Sequence, residues 1–234
     1  ANDFNDDSKR SININRPFYS VITKNAGGAY FENRLRTEQF PIADTLVLQD
    51  ISYDFQEYWY GRAFKINSKS NPERYFNNLI LALTYNQKVF GRRPDVLLDP
   101  STYFSNEKNW IGMIGFSKQK FYQDKFVFNF NIVEDIPYGE NIALIIGHQE
   151  KNSNSRMYTG LSVSYGQKYT FGYASAFAEW GSFYDAGLTE QTTFKMGLNY
   201  FSPLIYWGKW RFRQFIKPTY IWGNNRDDSF KDRL

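Results

Sequence analysis

The sequence predicts an all-β fold: an antiparallel transmembrane β-barrel with about ten strands in this chain. Three observations predict it. Apolar and polar residues alternate with period two through the second half. Most of the alternating segments reach the roughly 9–11 residues that a tilted strand needs to cross a bilayer. Aromatic residues, 22 Phe, 18 Tyr and 6 Trp, gather near the segment ends.

The elements follow in order. A loosely defined strand is expected over 29–36, and further ones over 53–66, 78–89, 110–119, 141–149 and 169–183. The alternation is sharpest in four segments. Over 126–132, Phe126, Phe128, Phe130 and Ile132 oppose Val127, Asn129 and Asn131. Over 157–166, Thr159, Leu161, Val163 and Tyr165 oppose Gly160, Ser162, Ser164 and Gly166. Over 191–201, Thr192, Phe194, Met196, Leu198 and Tyr200 oppose Gln191, Thr193, Lys195, Gly197 and Asn199. Over 210–222, Trp210, Phe212, Ile216, Tyr220 and Trp222 oppose Arg211, Arg213, Lys217 and Thr219, and Pro218 marks a bulge. Successive side chains on a strand point to opposite faces, so each segment has one apolar and one polar face. Turns are expected at 151–156, 166–168 and 184–189. Residues 1–28 read as a lead-in or loop segment, and 224–234 as a polar loop. The whole of 1–234 reads as a single barrel domain, expected to be incomplete, because the chain opens on Ala1 and closes within a polar stretch.

Composition removes other classes. There is no Cys, so neither disulfides nor thiolate-held metal can occur, and the single His would leave any zinc site carboxylate-rich. The abundance of aromatics argues against disorder. A net charge of +4, evenly spread, does not point to nucleic acid. The longest apolar runs, such as 142–146 and 79–83, fall far short of the about 18 residues of a membrane helix, and mean hydropathy is −0.58. Alternation by itself fits a lipid-facing barrel or a soluble β-sandwich. Strand length, the aromatics near strand ends (Trp59, Tyr60, Trp207, Trp210 and Trp222 among them) and polar faces of small or charged residues favour the barrel in a bilayer.

No catalytic, cofactor-binding or metal-binding set stands out, and the chain reads as a non-enzyme without a cofactor. Glu134 and Asp135 sit in a motif with Pro137, Tyr138 and Gly139 that reads as a turn between two strands. As neighbours on an extended chain they point apart, so solvated carboxylates at a turn are the better reading. His148 faintly resembles the base of outer-membrane phospholipases, but the position two residues on, where that family has its Ser, is Glu150. Arg211, Arg213 and Lys217 form a candidate basic face of one strand, directed to the lumen or paired with carboxylates such as Glu179.

An ordered set of strings adds a resemblance. It comprises Asn15-Arg-Pro-Phe-Tyr-Ser20 with Ala26-Gly-Gly28, Tyr58-Trp-Tyr-Gly-Arg-Ala-Phe64, and Gly91-Arg-Arg-Pro94. Glu134-Asp-Ile-Pro-Tyr-Gly139 and Asn199-Tyr-Phe-Ser-Pro-Leu204, leading into Trp210 to Phe215, complete it. Together these resemble the barrel of BamA/TamA-type outer-membrane proteins, the surface-antigen family. The resemblance implies an internal part of a barrel of about 16 strands, preceded by POTRA domains. It further implies a bacterial outer-membrane location and a role in inserting or translocating other outer-membrane proteins. The partners implied are the lipid bilayer and other outer-membrane or periplasmic proteins. The family's Arg-Gly-aromatic lumen motif does not occur in the chain. The alternatives are a passive outer-membrane pore or transporter barrel, an outer-membrane phospholipase, and a soluble β-sandwich.

Overall fold

The computed structural model describes residues 7–42, 45–66, 76–100, 102–129, 132–152 and 154–225. Within them the chain is all β. The strands are β1 (Ser8–Arg16), β2 (Asn25–Ile42), β3 (Thr45–Lys65), β4 (Phe76–Arg92), β5 (Glu107–Lys125), β6 (Val133–Lys151) and β7 (Asn154–Tyr169). They continue as β8 (Gly172–Asp185), β9 (Leu188–Phe201), β10 (Ile205–Trp207), β11 (Trp210–Phe212), β12 (Phe215–Ile216) and β13 (Thr219–Asn224). Eleven of these form one antiparallel meander from β1 to β9, with β12 and β13 both paired to β9. β10 and β11 make a separate hairpin.

The expected barrel does not form. Among the described residues β1 pairs only with β2, and β12 and β13 only with β9, so the sheet ends in two unjoined edges. Lipid cannot satisfy the backbone groups of an open edge, and the membrane reading required closure. The transmembrane barrel is therefore replaced by an open antiparallel sheet, and the fold offers no support for a lipid bilayer as partner. No helix of the described residues is long and apolar enough to cross a membrane.

Several element boundaries also move. The lead-in segment contains β1, which pairs along its length with β2. The residues over 126–132 do not form a strand: those described make the connection between β5 and β6, with Phe126 at a φ of 59°. Glu134 decides this, because its carboxylate accepts the Val127 and Phe128 amides and the Asn129 side chain. That cap holds the chain in a tight bend. The 166–168 turn lies inside β7, and the chain reverses after Tyr169 instead. The 210–222 strand is broken into β11, β12 and β13, because Pro218 has no amide to continue a ladder. Most of the 224–234 loop lies outside the described residues.

Cross-strand pairs share a face, so the register assigns the sheet's two sides. Leu81, Ile114, Leu144, Leu161, Trp180, Phe194 and Trp222 form one row of direct partners. The next row, on the opposite side, is Ala82, Met113, Ile145, Gly160, Gly181, Thr193 and Gly223. The first face is apolar. The second carries small and polar groups stitched across strands, including Asn109 to Asn86 (2.7 Å), Ser117 to Asn141 (2.6 Å) and Lys195 to Glu179 (3.3 Å).

Two small cores lie at opposite ends of the sheet. Phe40, Ile51, Tyr53, Phe90 and Phe104 cluster where the loop after β4 folds back onto β2 to β4. Asp99 builds that loop by accepting the Tyr103 and Phe104 amides, each at 2.8 Å. Val127, Ile136 and Phe201 form the second core with Tyr122 and Tyr173. Most apolar side chains belong to neither. The accessible surface is 16319 Å² for 27.6 kDa. A compact monomer of that mass would expose about 11,000 Å².

Candidate functional site

The uncovered apolar face is the first candidate. Leu83, Leu198 and Ile146 are 71%, 55% and 50% exposed within long strands. Monomers rarely leave more than a few hundred Å² of contiguous apolar surface open, and larger patches mark interaction sites. Local relief turns part of this face into a trough. Along β8 the apolar-side residues Ala176 and Ala178 are small. Their direct partners are tall: Tyr165 and Val163 on β7, Leu198 and Met196 on β9. Phe116, Ile142 and Tyr220 extend the walls. The result is an elongated groove of about 800 Å³. Glu140 stands at one margin, paired with Lys118 at 3.3 Å. Both side chains are well exposed, so this pair contributes little to stability. Trp180 follows Ala178 on the same face.

The strand pattern made the face legible, but not the trough. Three alanines at alternate positions of β8, Ala174, Ala176 and Ala178, are the signal that was available: one strand of small residues between strands of large ones.

The sequence-selected residues are dispersed. Arg211, Arg213 and Lys217 do not line one strand face. Arg211 lies in β11 over the Phe126 and Tyr206 rings. Arg213 leaves the strand and grips Asp124. Lys217 lies over Phe128 and Phe215. Glu179 pairs with Lys195, not with this group. Glu134, Asp135, Pro137, Tyr138 and Gly139 fall within β6, not at a turn. The Glu134 carboxyl is held below its ordinary range, chiefly by the Phe128 amide, with further help from Asn129 and Val127. It is thus a structural acceptor with no proton to share with Asp135.

Among the aromatics, Trp59 lies mid-strand in β3 with its indole against Gly28, and Tyr60 donates to Asn25 at 2.9 Å. Trp207 and Trp210 face each other at the tip of the β10–β11 hairpin, 77% and 71% exposed. Trp222 sits in β13 on the apolar face.

His148 has a neighbour that linear reasoning missed. Ser155, across the β6–β7 hairpin, places its Oγ 3.3 Å from His148 Nε2. Glu150 approaches the same nitrogen at 3.8 Å. A nucleophile–base–acid relay needs the acid on the other ring nitrogen, so this arrangement is not a relay. Among the described residues no group of three or more His, Asp or Glu side chains is placed to hold a metal ion.

No family model, no curated protein and no solved structure matches the chain. The resemblance to the BamA/TamA-type surface-antigen family therefore finds no support, and the open sheet removes the barrel on which it rested. Outer-membrane location, a role in membrane-protein assembly, and the pore and phospholipase alternatives, all of which presupposed that barrel, fall with it.

Proposed function

We propose that the chain is a non-catalytic binding module that takes a linear aliphatic molecule in the β8 trough. One observation carries the reading: the small floor of Ala176 and Ala178 runs between the taller apolar walls Val163, Tyr165, Met196 and Leu198. The volume falls in the usual range of small-molecule sites, about 300–1,000 Å³. The walls supply dispersion contacts along an extended chain, and binding removes apolar surface from water on both partners. Glu140 and Lys118 at the margin provide polar partners for a terminal hydroxyl or similar head. No reacting group is needed for this role.

The test is titration of the full chain with dansyl-undecanoate, followed by displacement with unlabelled dodecanol. Saturable binding with a Kd of order micromolar is expected. Ala178→Trp fills the trough without touching either core and should abolish it. Absence of saturable binding, or undiminished binding in the Ala178→Trp protein, would refute the proposal.

A further inference from the structure

The polar face holds a second, differently built hollow. Five directly paired residues cross five strands: Gln119, Gly139, Gly166, Ser175 and Asn199. Two glycines lie at the centre of this row, with an amide on one side and a hydroxyl and an amide on the other. This row lines a depression of about 190 Å³. Its walls are fixed by neighbouring contacts. On one side Ser117 donates to Asn141 at 2.6 Å, and Asn141 donates to Ser164 at 3.1 Å. The next residue of that row, Phe177, lies so close over Gly197 that a Cβ there would sit 2.5 Å from the ring. On the other side Tyr173 stacks on Phe201 with centroids 5.0 Å apart, and its hydroxyl donates to the Pro137 carbonyl at 3.0 Å.

Gly166 lies directly beneath the Tyr173 hydroxyl. A Cβ on Gly166 would fall 2.5 Å from the Tyr173 hydroxyl oxygen. The rim has hydrogen-bonding capacity left over. Ser175 and Asn199 are direct cross-strand partners, both half-buried, and neither side chain bonds to another described residue. Asn199 thus offers two donors and an acceptor, Ser175 one donor and two lone pairs, and Gln119 its carbonyl oxygen. No charged side chain lines the hollow.

We infer that this hollow binds an uncharged pyranose. Neutral amides and hydroxyls converging on a small depression match the alternating donors and acceptors of sugar hydroxyls. The Tyr173 and Phe177 rings offer apolar walls for the C–H faces of the ring. An anionic or cationic ligand would find no counter-charge and would lose its hydration, which disfavours it. The site lies on the face opposite the β8 trough, so either proposal can fail while the other stands.

The experiment is saturation-transfer NMR and calorimetry on the full chain with glucose, N-acetylglucosamine and maltose, against glucuronate and glucosamine as charged controls. Saturable binding of at least one neutral sugar is expected, with the charged controls weaker by about tenfold or more. Maltose binding more tightly than glucose assigns the site to a glycan chain end; equal affinity assigns it to the free sugar. Asn199→Ala, a small change on a surface strand, should weaken binding by about tenfold. Ser175→Leu should block the hollow by bulk. The inference is overturned if no neutral sugar saturates, if glucuronate binds as well as the neutral sugars, or if both variants, shown folded by near-UV circular dichroism, bind like the parent.

Discussion

Arg213 holds Asp124 in a bidentate ion pair, Nη1 to Oδ2 at 3.0 Å and Nη2 to Oδ1 at 3.1 Å, across 89 residues of chain. The same guanidinium donates to the Lys125 carbonyl at 3.0 Å and lies over the Phe201 ring. Its side chain is only 4% exposed. This pair ties the segment between β11 and β12 to the far end of β5. Burial pushes the Asp124 carboxyl upward, but the Arg213 bonds and the Lys125 amide outweigh it and hold the carboxyl below its ordinary range. Arg213→Ala removes the guanidinium from the Lys125 carbonyl and leaves the Asp124 carboxylate with the Lys125 amide alone. A loss of about 2–3 kcal/mol in urea unfolding is expected. A change under about 0.5 kcal/mol would place the variant among ordinary surface substitutions and contradict the structural role.

Glu32 should govern the acid limb of stability. Its carboxylate takes Lys9 Nζ at 2.8 Å and the Tyr53 hydroxyl at 2.8 Å, and also accepts from Tyr30. Burial raises its pKa, but the bonds from Lys9, Tyr30 and Tyr53 prevail and lower it from 4.5 to about 2. A depressed carboxyl stabilises the fold above its unfolded pKa and loses that contribution as pH falls through the folded one. The contribution of Glu32 is therefore complete above pH 4.5 and fades between 4.5 and about 2. Unfolding midpoints measured across that window should decline in the parent and decline less steeply in Glu32→Gln. Parallel slopes in the two proteins would count against the assignment.

Gly139 should not tolerate a side chain. Its φ is 139°, a conformation that L residues rarely adopt, and a Cβ there would run into the Lys118 carbonyl. Gly139→Ala should cost about 1–3 kcal/mol and shift the local β5–β6 register. Amide exchange in β5 and β6 reads both effects. Unchanged protection of the residues around Gln119 would be inconsistent with the close approach.

The two sides of the sheet should respond differently to core-type mutations. Ile51 is fully buried in the cluster with Phe40, Tyr53, Phe90 and Phe104, so Ile51→Ala should cost about 2–4 kcal/mol. Leu83 is 71% exposed on the apolar face, and Leu83→Lys should change stability by about 0.5 kcal/mol or less. Thermal unfolding of the two variants distinguishes them. A large stability loss in Leu83→Lys would mean that this face is already covered.

Local patterning carried much of the fold. The period-two runs at 157–166 and 191–201 lie within β7 and β9, and their apolar and polar sets fall on the two faces that the register defines. The weaker runs at 53–66, 78–89, 110–119 and 141–149 likewise mark β3, β4, β5 and β6. Alternation is a property of the backbone's two-residue repeat, so it survives in any context that leaves the strand extended. The same signal misled at 126–132, where the described residues make a bend instead of a strand. That bend depends on Glu134 reaching back to two amides, a contact that periodicity does not encode.

The sequence by itself determined that the chain is all β, which residues share a face along each strand, and that one set of faces is apolar. Only the tertiary structure decided that the sheet stays open, because closure depends on whether the first and last strands meet, not on any strand's own pattern. Only the register decided that alanines of β8 lie between the tall residues of β7 and β9. It likewise brought Gly139 and Gly166 together with Ser175 and Asn199 in one row. Both sites are made across neighbouring strands of the meander, and which side chains oppose one another is set by the register of pairing, which no strand's own pattern encodes.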